Sequence, residues 1–271
     1  MKLFQIYYDE ASSRSLDPDF IPLDNRNSER ADWFEYWPIR QTLLKQAFKD
    51  EEYVGFFSPR FKEKTGLSGA EVIARMGSAT QEVVSFSPSL HEGALFLNSF
   101  YQAEALHPGC LSQSQEFLDT AKIDIKLHFL VQDQSRIIFS NYFVAKYRFW
   151  KKWQDLTNQL FEICERRDGP LSQRLNAITR HRGKTGYQMK IFIMERMVSI
   201  ALELENLNAE IGKDPILETK YGTGPVLRKL LALDALKTQY IKTGNKSFIG
   251  QYMKMQKELI ASVSQRGKSP A

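Results

Sequence analysis

Residues 139–153 read FSNYFVAKYRFWKKW, and the fold turns on how the two halves of this stretch are taken. The first half is apolar except for Ser140 and Asn141; the second alternates bases with aromatics. The first half predicts a buried strand, set here at Ile137 to Val144, and the second opens an amphipathic helix from Arg148 to Arg166. Phe149, Trp150 and Trp153 then fall at helical spacing and turn inward, leaving Arg148, Lys151 and Lys152 to solvent. Interleaved bases and aromatics also suit stacking on single-stranded nucleic acid. Helical spacing favours the packed reading, so no nucleic-acid partner is expected. Asn141 poses a separate question, because an amide in an apolar strand needs a hydrogen-bond partner. Either it pairs within the sheet or it is delivered to a pocket.

Working outward, short apolar runs alternate with helical patterns. Leu3 to Tyr8 reads as a first strand, followed by a long Ser-, Asp-, Pro- and Asn-rich loop through Arg30. Asp32 and Glu35 stand at capping-box spacing, although Pro38 places the start of a regular helix near itself. Tyr53 to Phe57 is a second strand, Ser68 and Glu71 form a capping box ahead of a helix, and Val83 to Pro88 repeats the strand-to-proline pattern. Helices are expected over Gly93 to Leu106, Leu111 to Ala121, Leu171 to Ile178 and Tyr187 to Glu205. Such alternation predicts an α/β fold with a mostly parallel sheet covered on both faces, whose site lies beyond the carboxyl ends of the strands. From Gly222 onward two amphipathic helices read as an appendage, giving a main unit of residues 1–221 and a helical extension of residues 222–271.

Composition narrows the function classes. The chain has 271 residues with 42% hydrophobic and 12% aromatic content, enough to fill one large core. Its 37 bases against 32 acids leave a net charge of +5, a balance too mild to demand an anionic partner. Two cysteines without metal or redox spacing argue against a disulfide framework or zinc site. The amino terminus lacks signal-peptide features, and no apolar run reaches the ~20 residues of a membrane span. The expected setting is the cytoplasm, with the inner face of the membrane as the alternative that the basic tail helices offer.

Phosphate-loop, dinucleotide, nucleophile-elbow and zinc-protease signatures are absent. Asp-x-Asp occurs once, at Asp17 and Asp19 in a Ser/Pro loop, where a solvated turn competes with a metal ligand. Three polar clusters stand out instead: EYWPIR at residues 35–40, GFFSPRF at residues 55–61 and SNYFVAK at residues 140–146. A fourth, QMKIFIMER, sets Gln188, Glu195 and Arg196 on a hydrophobic helix.

The order of these segments, IYYDE, LDPDFIPLDN, EYWPIR, YVGFFSPRF, FSNYFVAKYRFW and MER, resembles glycosyltransferases of bacterial capsule and lipopolysaccharide gene clusters. The resemblance covers about residues 1–205. It implies a GT-A-like fold, a nucleotide-sugar donor, and a saccharide or lipid-linked acceptor. In that frame Tyr7, Tyr8 and Asp9 would meet the base and ribose, with Asp24 and Asn25 orienting the same end. Arg40 and Arg60 would neutralise the diphosphate through paired hydrogen bonds. Ser58, Asn141 and Tyr142 would face the sugar. Glu195 is the candidate base, or alternatively the ion-pair partner that fixes Arg196. The absence of a strand-bound Asp-x-Asp leaves Mg2+ or Mn2+ open: another acid such as Asp133 would hold the ion, or the arginines would suffice.

Overall fold

The computed structural model describes residues 1–87, 89–181, 184–213 and 224–266. Six strands form one sheet: β1 (Lys2–Tyr7), β2 (Ile21–Asp24), β3 (Tyr53–Phe57), β4 (Val83–Ser85), β5 (Phe143–Lys146) and, numbered eighth in chain order, β8 (Glu210–Ile211). The order across the sheet is β2-β1-β3-β5-β4-β8. β1 runs parallel to β2 and β3, β4 runs parallel to β8, and β5 alone is reversed, antiparallel to both β3 and β4. β6 (Ile178–His181) and β7 (Lys184–Gln188) form a separate antiparallel pair.

Period-two alternation sends the side chains into two layers. Phe4, Ile6, Val54, Phe56, Val83, Phe143 and Ala145 enter the larger core, while Leu3, Phe57, Val84 and Val144 enter the smaller one on the other face. At Gly55 a Cβ would stand 2.9 Å from Val144 Cγ2 and 3.0 Å from Leu3 Cδ2, so close strand packing requires glycine there.

The opening stretch is a strand meeting a helix, with a later start than expected. β5 begins at Phe143, because Ser140 takes a positive φ of 59° and breaks the extended run. The helix Tyr147–Arg166 follows β5 directly. Trp150 stacks on Phe143 at 4.5 Å, meets Phe56 edge-on at 5.1 Å and donates from Nε1 to Val54 O at 2.9 Å. The bases face acids: Lys151 pairs with Asp50 at 2.8 Å, Arg148 with Glu82 at 2.9 Å and Lys146 with Glu51 at 2.7 Å. This face is locally neutralised, which leaves little of the uncompensated charge that phosphate binding uses.

Several boundaries differ from the sequence reading. The loop after β1 contains a five-residue helix, Glu10–Arg14, and the edge strand β2. The expected helix Gly93–Leu106 is two helices, Leu90–Leu95 and Ser99–Leu106, because the Asn98 side chain caps the second at Phe100 N and Tyr101 N. Tyr187–Glu205 likewise splits into Met189–Met194 and Met197–Leu204, with Tyr187 in β7. The Leu171–Ile178 helix ends at Leu175, and Ile178 opens β6. Ser68 and Glu71 do form the capping box. The Asp17–Asp19 turn is structural: Asp17 Oδ2 accepts from Gly69 N at 2.9 Å and Oδ1 from Asp19 N at 3.1 Å.

The expected boundary at residue 221 lies outside the described residues. Beyond it, the helices Pro225–Thr243 and Lys246–Arg266 pack on Leu90–Leu95, with Leu230, Leu233, Tyr252 and Leu259 forming a third core. Leu231, Met253 and Ile260 on these helices stay exposed. Among the described residues no helix is long and apolar enough to cross a membrane. Lys237 crosses this junction. Fully buried, it donates to the carbonyls of Gly93, Gln132 and, at 3.0 Å, Phe96. Burial pushes its pKa down to about 8.

Replacing Lys237 by Met leaves three buried carbonyls unpaired, so the loss at pH 7 should be about 3 kcal/mol. A folded-state pKa below the free value of 10.5 makes the folded chain the proton-poor form, so wild-type stability rises between about pH 8 and 10.5. Denaturant titrations of wild type and Lys237→Met should therefore diverge further across that window. Equal stability, or a narrowing gap, contradicts the assignment.

Candidate active-site cleft

Chain segments distant in sequence meet at one edge of the sheet. Tyr8 follows the carboxyl end of β1, and Arg60 and Lys64 lie in the turn and short helix after β3. Asn141 arrives from the opposite chain direction: because β5 is reversed, its amino end stands at the edge where β3 and β4 end. Glu35 precedes the helix Tyr36–Lys45, and Glu195 and Arg196 occupy the break between Met189–Met194 and Met197–Leu204. Together they line a cleft of about 450 Å³.

Glu35 ties two of these segments together. Its Oε1 accepts from Tyr8 Oη at 3.2 Å and its Oε2 from Asn141 Nδ2 at 3.3 Å. The capping box expected of Asp32 and Glu35 does not form, since the following helix has no side-chain cap bond. Asp32 serves another network: Arg30 binds both Asp32, at 2.9 Å, and Glu165, at 2.6 Å, and the buried Lys190 donates to Asp32 at 2.6 Å. Burial alone would raise the Asp32 pKa, but hydrogen bonds from Arg30 and Lys190 outweigh it and hold the group at about 2. This network clamps residues 30–33 beneath the helix Tyr147–Arg166 and so fixes where Phe34 and Glu35 emerge.

Burial raises the affinity of both Glu35 and Glu195 for protons; the Glu35 charge adds to the effect on Glu195, and Lys64 opposes it at both. Glu195 retains 39% of its side-chain surface and a 3.9 Å ion pair with Arg196. Water reaches it through the cleft mouth while protein surrounds the rest. Arg196 itself is held inside, donating to Ser99 O at 3.0 Å, Phe192 O at 2.5 Å and Gln102 Oε1 at 2.6 Å. It therefore positions the break in the helix and Glu195 beside it, and is not free to grip a ligand. The Arg60 guanidinium, 65% exposed, is paired with Glu63 at 2.7 Å through Nε. Lys64 lies 5.3 Å over the Tyr142 ring.

Of the residues singled out from sequence, Tyr8, Arg60, Asn141, Glu195 and Arg196 line the cleft. The others do not. Tyr7 points to the opposite face of β1, under the Arg26 guanidinium at 5.2 Å. Asp24 pairs with Arg26 at 2.7 Å, which holds its carboxyl well below the usual range. Asp9 caps the Glu10–Arg14 helix through Ser12 N at 2.7 Å. Asn25 donates its backbone N–H to Tyr7 O at 2.9 Å and, with Asp24, lines a shallower hollow of about 360 Å³. Arg40 binds Asn158 at 3.1 Å and lies 4.7 Å over Phe161. Ser58 and Tyr142 are buried behind the wall, bonded to each other at 2.9 Å. Asp133 is likewise structural, accepting from Ser135 Oγ at 2.6 Å and Thr238 at 2.7 Å. Among the described residues no group of three or more His, Cys, Asp or Glu is placed to hold a metal ion.

Sequence reading passed over Glu35, Lys64 and the wall residues Phe34, Trp153 and Tyr187. Glu35 lay inside a quoted cluster, but capping-box spacing offered it a local role, and only the sheet edge brings Tyr8 and Asn141 to it. Neither the protein-family models, the curated proteins nor the solved structures contain a match to this chain.

Because burial raises the Glu35 pKa, the folded chain keeps that proton to higher pH than the unfolded chain does. Stability contributed by this group is thus lost as pH rises through its folded pKa. Glu35→Gln does not titrate, so its melting midpoint should rise relative to wild type between pH 4 and pH 7, on top of a constant cost for the acceptor lost toward Tyr8 or Asn141. A difference that stays flat or falls across that window contradicts this electrostatic account.

Proposed function

We propose that the chain is a glycosyltransferase with a GT-A-type fold, moving a sugar from a nucleoside-diphosphate donor to a saccharide or lipid-linked acceptor in bacterial surface polysaccharide synthesis. The observation that carries the reading is the convergence of the four polar clusters, through Glu35, Arg60, Asn141 and Glu195, with Tyr8 from the end of β1, in one cleft at the carboxyl edge of a mostly parallel sheet. That edge is where ligands of open α/β sheets bind. The motif order in residues 1–205 supports the same class.

The groups in the cleft suit a direct displacement. Glu195, with its raised proton affinity and open face, takes the proton of the acceptor hydroxyl as that oxygen attacks the anomeric carbon. The bond from that carbon to the diphosphate oxygen breaks, and its electron pair leaves with the diphosphate. Arg60 and Lys64 supply positive charge to the departing group, an electrostatic contribution that grows as water is excluded. Glu35 holds Tyr8 and Asn141 in register for the donor, a positioning role.

A thermal-shift screen against nucleoside-diphosphate sugars tests the reading. A matching donor at about 100 times its Kd should add about 2.7 kcal/mol of stability. Glu195→Gln should keep that shift while turnover falls by about 10²- to 10⁴-fold. Turnover with Mg2+, with Mn2+ and with chelator reads metal dependence directly. No shift with any donor overturns the transferase reading; full activity in Glu195→Gln overturns the base assignment.

A further inference from the structure

One wall of the cleft is aromatic and is not used by the donor chemistry above. Phe34 stacks on Tyr187 at 5.6 Å and 28°, Tyr187 meets Phe192 at 6.2 Å, and Phe192 lies flat on His107 at 3.5 Å and 16°. All four rings line the cleft.

Phe34 is the unusual member. The residue is 38% exposed, and its backbone sits at φ 46° and ψ −126°, a conformation that favours glycine. Holding a bulky residue there costs roughly 1–3 kcal/mol and persists only where the surroundings over-determine it. They do so on both sides: the Arg30–Asp32–Lys190 network fixes the preceding turn, and Tyr8 and Asn141 fix the following Glu35. The constraint keeps the ring in the cleft.

Two further observations describe what would lie against this wall. Glu35, Glu92 and Glu195 all line the cleft, offering oxygens that accept hydrogen bonds. Trp153, also in the lining, carries a buried Nε1 with no hydrogen-bond partner among the described residues. A neutral sugar ring matches this set: its C–H face covers aromatic carbon, its hydroxyl hydrogens go to carboxylates, and its oxygens can accept from an indole N–H. A pyrimidine base would stack equally well, but it carries donors on one edge only, where a pyranoside carries hydroxyls around the ring.

We propose that Phe34 and Tyr187 form the acceptor subsite and that it takes a neutral pyranoside by the apolar face of its ring. The word acceptor rests on the transferase reading; the binding of the sugar does not. Saturation-transfer NMR on the full chain, with and without saturating uridine diphosphate, can use methyl glycosides of glucose, galactose, mannose and rhamnose, with methyl glucuronide as the anionic control. At least one neutral glycoside should bind. Phe34→Gly should weaken that binding at least 10-fold, and Phe34→Tyr should retain it. Because glycine relieves the backbone conformation and alanine does not, Phe34→Gly should melt no lower than Phe34→Ala, which separates loss of the ring from loss of the fold. Unchanged glycoside binding in Phe34→Gly, or a loss confined to uridine diphosphate, overturns the subsite. Nucleotide-sugar shifts measured on the same samples keep the two failures apart. Donor shifts with glycoside binding indifferent to Phe34 sink the subsite alone, whereas glycoside binding through Phe34 without any donor shift sinks the transferase and leaves a sugar site.

Discussion

The reversal of β5 within an otherwise parallel sheet determines which side chains meet at the cleft. A parallel strand at that position would deliver Asn141 to the far edge of the sheet, away from the ends of β1 and β3. Reversed, it starts at the edge where β3 and β4 stop, and the residues just before it, Phe139, Ser140 and Asn141, line the cleft with Tyr8 and Arg60. The reversal is held by packing. β5 runs straight into the helix Tyr147–Arg166, and Trp150 fastens that helix to β3 through Val54 O and to β5 through Phe143. An indole that is fully buried, stacked and hydrogen-bonded fixes the strand direction with little tolerance for slippage.

The cleft is built on costs met elsewhere in the fold. Two glutamates sit where burial disfavours their charged forms, and Phe34 holds a backbone conformation that suits glycine. Against these stand the Arg30, Asp32, Lys190 and Glu165 network and an aromatic core around Trp33, Tyr36, Trp153 and Phe161. Local strain supported by rigid surroundings is the usual signature of a preorganised site. The terminal helices add to that rigidity. Through Lys237 and the third core they brace residues 90–97 and 131–134, and Glu92 and Gln102 in the adjoining helices reach toward the cleft.

How much was legible in the sequence depended on whether the signal was local. Tyr53–Phe57, the Ser68–Glu71 box and the inward Trp150 and Trp153 follow from spacing and were read correctly. β2 was missed because Pro22 and an exposed edge position erase alternation. The β6–β7 pair was partly absorbed into helices because ITRH and KTGYQ are too polar to show an apolar alternation of their own. In the site, Tyr7 and Tyr8 are adjacent in sequence, and parity alone says they face opposite ways without saying which one faces the cleft. Glu35 and Asp32 had local readings at capping distance; tertiary partners more than a hundred residues away, Asn141 and Lys190, gave them different work. Arg40 was lost in the same way, to Asn158 more than a hundred residues away, whereas Asp24 was consumed locally by Arg26.

The account stands on the cleft beside Tyr8 and Asn141, not the shallower hollow near Asp24, being the place where an activated sugar binds. Amide chemical shifts followed during titration with the nucleotide sugar that binds most tightly test this directly. The predicted result is that the largest shifts cluster at residues 8, 35, 60, 141 and 195, with residues 24–28 and 41–46 unmoved. Shifts concentrated at the second set, or scattered over both faces of the sheet, would contradict it.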